Sequence, residues 1–545
     1  MKKKKGFRWK VYLRRLLKRA AKSDGRFWLM MAACLIFIVF GVVIYINKYA
    51  PTKESISISE YYSTITDDEA VVFLDGKKMD PKKDATFGNG ICVGGHGYLE
   101  LTFLKENLDD GYVYDASAGV LRYTTDSETI SVNCDEKTYS SGRTDTSMDA
   151  VIVMEENETA YVLLDFVEEF TDVNGTVIDE TPGRIILESA GYEKVTAVSK
   201  KNTVMRQYGG PKSKVVSQLQ KKETVSVVGN AGKWVWVINE NGILGCVKSS
   251  ELKNKETTVI EPHLKERTYK HISLDEPLCV GWQEVTVKAE NNNLEKRLSK
   301  TKKLNVMVPT WMAIADNGGA LSNLASMDYV STCHDKDIQV WGAVSDSLNP
   351  EVSTTAVLNN TASRDNLVNN IVAAAVAYGM DGVTINFSNV GKESKDGWSQ
   401  FIRELSLKCE NNDLILAVKT DVDNESAECY NYAVLDNYGD YVFASFDVEE
   451  LSESVEKESF DIDIKAVESI METVDTSRLV LGVPLYVRAY NEDTEDYSGD
   501  MQTLDAEPLA KYLQFMQDNK LAGAAFWRLG VESDGIWEVI SLYIK

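Results

Sequence analysis

The run Asp381-Gly382-Val383-Thr384-Ile385-Asn386-Phe387-Ser388 carries the most concentrated candidate chemistry in this chain. As a strand it alternates with period two. Val383, Ile385 and Phe387 fall on one face, and Thr384, Asn386 and Ser388 fall on the other. Polar groups stacked along one strand toward an open end can meet a ligand, and they can equally form a small hydrogen-bonded polar core. Ser388 has no neighbouring sequence signal for a base that would make it a nucleophile. Other chemistries are poorly supplied. The chain has four histidines, and its eight cysteines are scattered with no C-x-x-C pair. No metal site and no cofactor are therefore expected.

Chemistry of this kind needs a scaffold, and residues 276–545 supply the pattern of one. Eight β-like segments occur in order: Leu278–Trp282, Leu304–Pro309, Ile338–Val344, Gly382–Phe387, Leu414–Lys419, Tyr441–Phe446, Leu479–Leu485 and Ala522–Trp527. Helical stretches separate most of them. One is 363–379, with Leu367, Ile371, Ala374, Ala375 and Tyr378 near one stripe. This alternation reads as a (β/α)8 barrel, with its site at the C-terminal ends of the strands. A doubly wound open sheet is the rival, but no Gly-rich phosphate loop follows the first strand. Aromatic and basic groups near the strand ends, Trp311, Tyr486, Arg488 and Trp527, are candidates to hold a ligand or to pack the rim.

Upstream, residues 202–254 show a compact five-strand pattern. A Gly-Gly-Pro turn at 209–211, strands at Val225–Val228, Trp234–Ile238 and Leu244–Val247, and an Asn-Gly turn at 241–242 mark it. It resembles a bacterial SH3-type module, a class that binds cell-wall peptide or serves as a spacer. Trp234 and Trp236 share one face and read as core, with a ligand-facing role as the alternative. Residues 76–198 read as a β-rich domain, and 110–125 as a hairpin within it. Residues 255–275 read as linker and 47–75 as a polar stalk. Whether Cys92 and Cys134 pair is left open.

Residues 27–46 lack any charge, and residues 1–26 hold twelve Lys or Arg against one acid. Twenty helical residues span a hydrocarbon core of about 30 Å. The basic flank puts the N-terminus inside. From residue 47 onward 47 basic and 82 acidic residues leave a net charge of -35. That excess repels phosphates and argues against nucleic-acid binding. The expected fold class is α/β: a C-terminal TIM barrel, preceded by small all-β domains and one N-terminal transmembrane helix. The expected place is a bacterial cell membrane, with the large domains outside.

The barrel region resembles glycoside hydrolase family 18, in its spore-cortex-lytic, peptidoglycan-acting branch. The resemblance is carried by VMVPTWMAIADNGG (306–319), YVSTCHDKDIQVWGAV (329–344), DYVFASFDVEE (440–450), VLGVPLYVRAY (480–490) and LAGAAFWRLGVESDGIW (521–537). In the family, strand four reads Asp-x-x-Asp-x-Asp-x-Glu. Here only Asp381 survives. Thr384, Asn386 and Ser388 stand at the later acidic places, and Ser388 replaces the acid that protonates the glycosidic oxygen. Strand six's Met-x-Tyr-Asp becomes Ala444-Ser445-Phe446-Asp447, keeping Asp447 and losing the tyrosine hydroxyl. The resemblance implies a substrate-assisted hydrolysis that still needs an acid. It therefore implies an inactive, chitinase-like pseudoenzyme. The family's subsite floor corresponds to Trp527, and the expected partner is peptidoglycan or another N-acetyl-sugar glycan, or its peptide stem. Two alternatives stand: an active hydrolase with an acid relocated to Glu449, Glu450 or Glu532, and a structural or protein-binding scaffold.

Overall fold

The computed structural model describes residues 14–15, 18, 25–64, 68–83, 88–422, 429–446, 456–488 and 501–545. An apolar helix spans Gly25–Tyr49. It is exposed along its length, and it is long and apolar enough to cross a membrane. The chain divides into two compact units. One comprises Met1–Glu100 with Val167–Leu264, and the other comprises Leu101–Phe166 with Lys265–Lys545.

In the first unit a seven-stranded sheet runs in the order Val215–Leu219, Thr203–Arg206, Leu244–Lys248, Trp234–Ile238, Thr224–Ala231, Glu193–Ser199, Leu252–Val259. Its core holds Val225, Val235, Val237 and Val247. The expected alternation around the tryptophans is present with the opposite sense. Val235 and Val237 point inward, and Trp234 and Trp236 are only half-buried on the outer face. The smaller valines fill this narrow interior, and the core reading of the two indoles is corrected. The span read as a stalk is also engaged. The amide of Thr52 donates to Pro211 O at 2.8 Å, Val215 N donates to Glu54 O at 2.8 Å, and Ile56 N donates to Val215 O at 3.0 Å. Ile56, Ile58 and Tyr61 pack on the sheet's core, and the Tyr62 hydroxyl donates to Gly242 O at 3.0 Å. A second, four-stranded sheet orders Val173–Ile178, Gly183–Ser189, Ala70–Leu74 and Lys77–Met79.

The second unit holds the barrel. Its strands are β1 (Leu278–Gln283), β2 (Val306–Pro309), β3 (Gln339–Ser345), β4 (Gly382–Asn386), β5 (Ile415–Asp421), β6 (Tyr441–Ser445), β7 (Leu479–Pro484) and β8 (Gly523–Trp527). Each pairs in parallel with the next, and β8 pairs with β1 to close the ring. The expected strands agree with these within two residues at either end. The helix expected at 363–379 spans Thr361–Tyr378. The Asn360 side chain caps its start, and Gly379 ends it in the left-handed region at φ 69°, where a Cβ is disfavoured.

Leu101–Phe166 belong to this same unit. Val113–Asp115 and Val120–Thr124 pair as the expected hairpin and continue into a five-stranded meander. The meander is bolted to the barrel's helices. Arg122 pairs with Asp365 at 2.8 Å, the Asp115 carboxylate accepts the Thr361 amide at 2.7 Å, and Gln400 donates to the Thr124 hydroxyl at 2.7 Å. Among the described residues every cysteine is a free thiol, Cys92 and Cys134 included.

Candidate functional site

The barrel interior is built from inward-facing positions two apart. Leu278, Val280 and Trp282 of β1, Ile415 and Ala417 of β5, and Tyr441 and Phe443 of β6 share one apolar cluster with Trp341 and Ala343 of β3. Trp341 stacks on Tyr441 (centroids 5.4 Å, 21°) and on Phe443 (6.2 Å, 23°). Gly382 makes room for it, because a Cβ there would lie 3.1 Å from the Trp341 ring and 2.7 Å from Ile415 O. Aromatic rings thus plug the lower lumen. Only the layer at the C-terminal ends of the strands is left to meet a ligand, as in barrels generally.

Strand β4 follows the alternation expected of it. Val383, Ile385 and Phe387 join the apolar layer beneath the helices. Thr384 lies in register with Ala343 and Ala417, both lining the lumen. Its buried hydroxyl has no hydrogen-bond partner among the described residues. Asn386, one layer higher, is half-buried opposite Ser345. Ser388 is held from two sides. Its amide donates to Asp346 at 3.0 Å, and its hydroxyl donates to Asp421 at 3.2 Å. Asp346 follows β3 and is itself 2% exposed. It also accepts the Asn389 amide at 3.0 Å and the Thr354 hydroxyl at 2.9 Å. Burial pushes its carboxyl above the usual carboxylate range, and these bonds hold the rise back. Asp421 forms an ion pair with Lys419, two residues earlier on the inward face of β5.

Across the mouth stands an aromatic corner. Trp527 ends β8 half-buried. Its ring meets Trp282 edge-on at 5.6 Å, and its indole N–H donates to the Tyr486 hydroxyl at 3.3 Å. The Arg528 guanidinium sits 5.7 Å over the Tyr486 ring and pairs with Glu284. Trp527 and Tyr486, separate candidates in the sequence, are brought together here. Arg488 lies in the strand Tyr486–Arg488, and its side chain lies outside the described residues, as do Asp447, Glu449 and Glu450.

Four expected residues are elsewhere. Trp311 is 2% exposed, donates its indole N–H to Asn291 at 2.8 Å, and packs on Tyr329. It is a core residue, because its indole is fully enclosed and its one donor is used. Phe446 is buried beneath the helices with its ring 5.7 Å from Tyr512. The backbone alternation that sends Tyr441 and Phe443 inward sends it outward. Asp381 lies at the opposite end of β4, where it accepts the Val340 amide and faces His334 Nε2, each at 2.8 Å. Glu532 bonds the Gly530 amide of its own loop.

The sequence reading missed Asp346, Lys419 and Asp421. A signal existed for the last two. They extend the inward series Ile415, Ala417 by two further steps. Nothing local marked Asp346, whose partners come from other loops.

The profile of the glycosyl hydrolases family 18 matches residues 282–532. A relative in Bacillus subtilis (strain 168), the provisionally assigned sporulation-specific glycosylase YdhD, is 25% identical over 182 residues. That match covers 32% of this chain and 43% of the relative, so less than half of the relative's length is represented. Among solved structures, the spore cortex-lytic enzyme SleL of Bacillus megaterium QM B1551 aligns at 16% identity and a TM-score of 0.39, covering 53% of this chain and 79% of that one. A chitinase of Chromobacterium violaceum ATCC 12472 aligns at 16% identity and a TM-score of 0.39, covering 49% and 98%. The C-terminal half of this chain is thus an eight-stranded parallel barrel whose residues 282–532 match the glycosyl hydrolases family 18.

Proposed function

We propose that this chain is a membrane-anchored protein of the bacterial cell envelope whose barrel binds peptidoglycan or another N-acetyl-sugar glycan without cleaving it. The observation that carries the reading is the state of position 388. A serine stands where the family acid would stand, and its hydroxyl is engaged by Asp421. Glycosidic cleavage needs a proton at the leaving oxygen, a contribution typically worth about 10²–10⁴ in rate. The two nearby carboxylates are poor substitutes. Asp346 is enclosed by three donors, and Asp421 is ion-paired with Lys419. The half-buried Trp527 and Tyr486, backed by the buried Trp282, supply a stacking surface that needs no acid.

In this reading residues 27–46, within the helix Gly25–Tyr49, are the anchor, residues 1–26 face the cytoplasm, and residues 47–545 lie outside, with an SH3-like module at 202–254 ahead of the barrel at 276–545. An active hydrolase is the second reading, because two carboxylates do lie beside position 388. The deciding experiment measures two things on the purified full chain: reducing ends released from peptidoglycan and chitin oligomers, and heat of binding to soluble peptidoglycan fragments. Binding without turnover is expected. Turnover of about 1 s⁻¹, within the ordinary enzyme range, would establish the hydrolase. Absence of both would leave a scaffold.

A further inference from the structure

The apolar helix ends directly against the seven-stranded sheet. Lys212 Nζ donates to the carbonyl of Ile46 at 3.3 Å, and the Thr52 amide, three residues past the end of the helix, donates to Pro211 O at 2.8 Å. The Lys212 ammonium therefore reaches the end of the apolar run, and the turn 208–213 is bonded to the residues that follow it. The headgroup layer outside the hydrocarbon core is about 5–7 Å thick on each side, so the Lys212 ammonium, bonded to Ile46 O, falls inside it.

The turn and the strand beside it present aromatic rings on their outer side. Tyr208 is 61% exposed and meets Trp236 edge-on at 6.4 Å. Gly209 packs on Trp234, where an added Cβ would come within 3.3 Å of the indole. Lys248 Nζ sits 5.6 Å over the same ring. The last turn of the helix continues the series, with Tyr45 and Tyr49 at 5.2 Å from each other and Lys48 over Tyr49.

Half-exposed tryptophans, an exposed tyrosine and lysines are the groups favoured where hydrocarbon meets water. The rings sit among the headgroups, and the ammonium groups reach the lipid phosphates. Cations at the surface also match anionic lipid. We infer that Tyr208, Trp234 and Trp236, with Lys212 and Lys248, form a lipid-contacting surface seated in the headgroup layer of the membrane that the helix enters. The inference rests on the proposed anchoring role of that helix. Continuity with the helix end favours lipid over a wall glycan or peptide as the occupant. The surface would hold the module against the bilayer.

The test uses the full chain in nanodiscs containing anionic lipid. A nitroxide is placed at Tyr208→Cys or Lys212→Cys in a background with Cys34→Ala and Cys134→Ser, the remaining cysteines being buried. Collisions with lipid-soluble oxygen are compared with collisions with a water-soluble nickel chelate. The reference site is Lys222→Cys, in the exposed turn at the far end of Val215–Leu219. The oxygen-to-nickel ratio at 208 and 212 is expected to exceed that at 222 by about fivefold. A ratio at 208 equal to that at 222 overturns the inference, provided that a label on native Cys34 reports lipid. A nickel-accessible Cys34 overturns the anchor itself. Shielding of 208 that appears only after soluble peptidoglycan fragments are added overturns the lipid assignment in favour of a wall ligand.

Discussion

The two ends of the barrel use the same residue type for different work. At the N-terminal end of the strands, Asp440 accepts the Ile272 amide at 2.6 Å and the Leu416 amide at 2.7 Å. Asp381 accepts the Val340 amide. These carboxylates are tied to backbone. They close the barrel floor and position the segment leading into β1, whose Leu274 amide donates to the Tyr441 hydroxyl at 2.8 Å. At the C-terminal end, Asp346 and Asp421 converge on one residue, Ser388. The floor is finished by main chain. At the mouth Asp346 accepts main-chain amides, and Asp421 accepts the hydroxyl of Ser388, a side chain that brings no acid of its own. A polar, self-satisfied cluster therefore faces an aromatic corner across the mouth, which fits stacking better than proton transfer.

The largest expected effect tests whether the mouth cluster is structural. Asp421→Ala leaves the half-buried Lys419 ammonium without its partner, and since breaking a fully buried pair costs about 3–5 kcal/mol, a loss of about 2–3 kcal/mol is expected here. The urea midpoint of the full chain should fall accordingly. An unchanged midpoint would mean that Lys419 finds water, and that the mouth is more open than its geometry suggests.

The floor has its own signature, in pH. Burial raises the Asp440 carboxyl from 3.8 to about 6. The folded chain then holds this proton more tightly than the unfolded chain does. Its contribution is complete below pH 3.8 and is lost as pH rises through 6. At about 1.4 kcal/mol per pH unit that amounts to about 3 kcal/mol. Urea midpoints between pH 4 and 7 should decline more steeply in wild type than in Asp440→Asn. Taking the difference removes His271, whose lowered pKa, from burial and the nearby Arg478 charge, pulls the opposite way. Parallel curves would refute the floor assignment.

Next in size is Trp527→Ala. It removes the proposed stacking face and should weaken binding of soluble peptidoglycan fragments about tenfold, or about 1.4 kcal/mol. Calorimetry reads this directly. Unaltered affinity would move the binding surface away from the aromatic corner.

The smallest effect expected is on catalysis. Ser388→Glu should release no reducing ends, because it places a carboxylate against Asp421 rather than in an empty acid site. Adding Asn386→Asp and Phe446→Tyr should not rescue it, since the Phe446 ring lies on Tyr512 beneath the helices. A triple variant that outperforms Ser388→Glu and Asn386→Asp together would show that position 446 can turn into the mouth.

What the sequence determined by itself is what local periodicity can carry. The apolar run dictates the helix Gly25–Tyr49. Alternation two residues apart locates all eight barrel strands, and it places Thr384 inward and Val383, Ile385 and Phe387 outward. That Ser388 stands at the acid position is implied only by the resemblance to glycoside hydrolase family 18. Tertiary structure decided which groups meet. Asp346 and Asp421 reach Ser388 from loops and strands that lie 42 and 33 positions away in sequence, and only the closing of the sheet brings them together. The same holds for Trp311, enclosed by Asn291 and Tyr329, and for Trp234 and Trp236, turned outward because valines fill the module's narrow core. Residue type and spacing fix the face a side chain takes on its own element. Which neighbours cover that face depends on non-local register and on the volume left between packed layers.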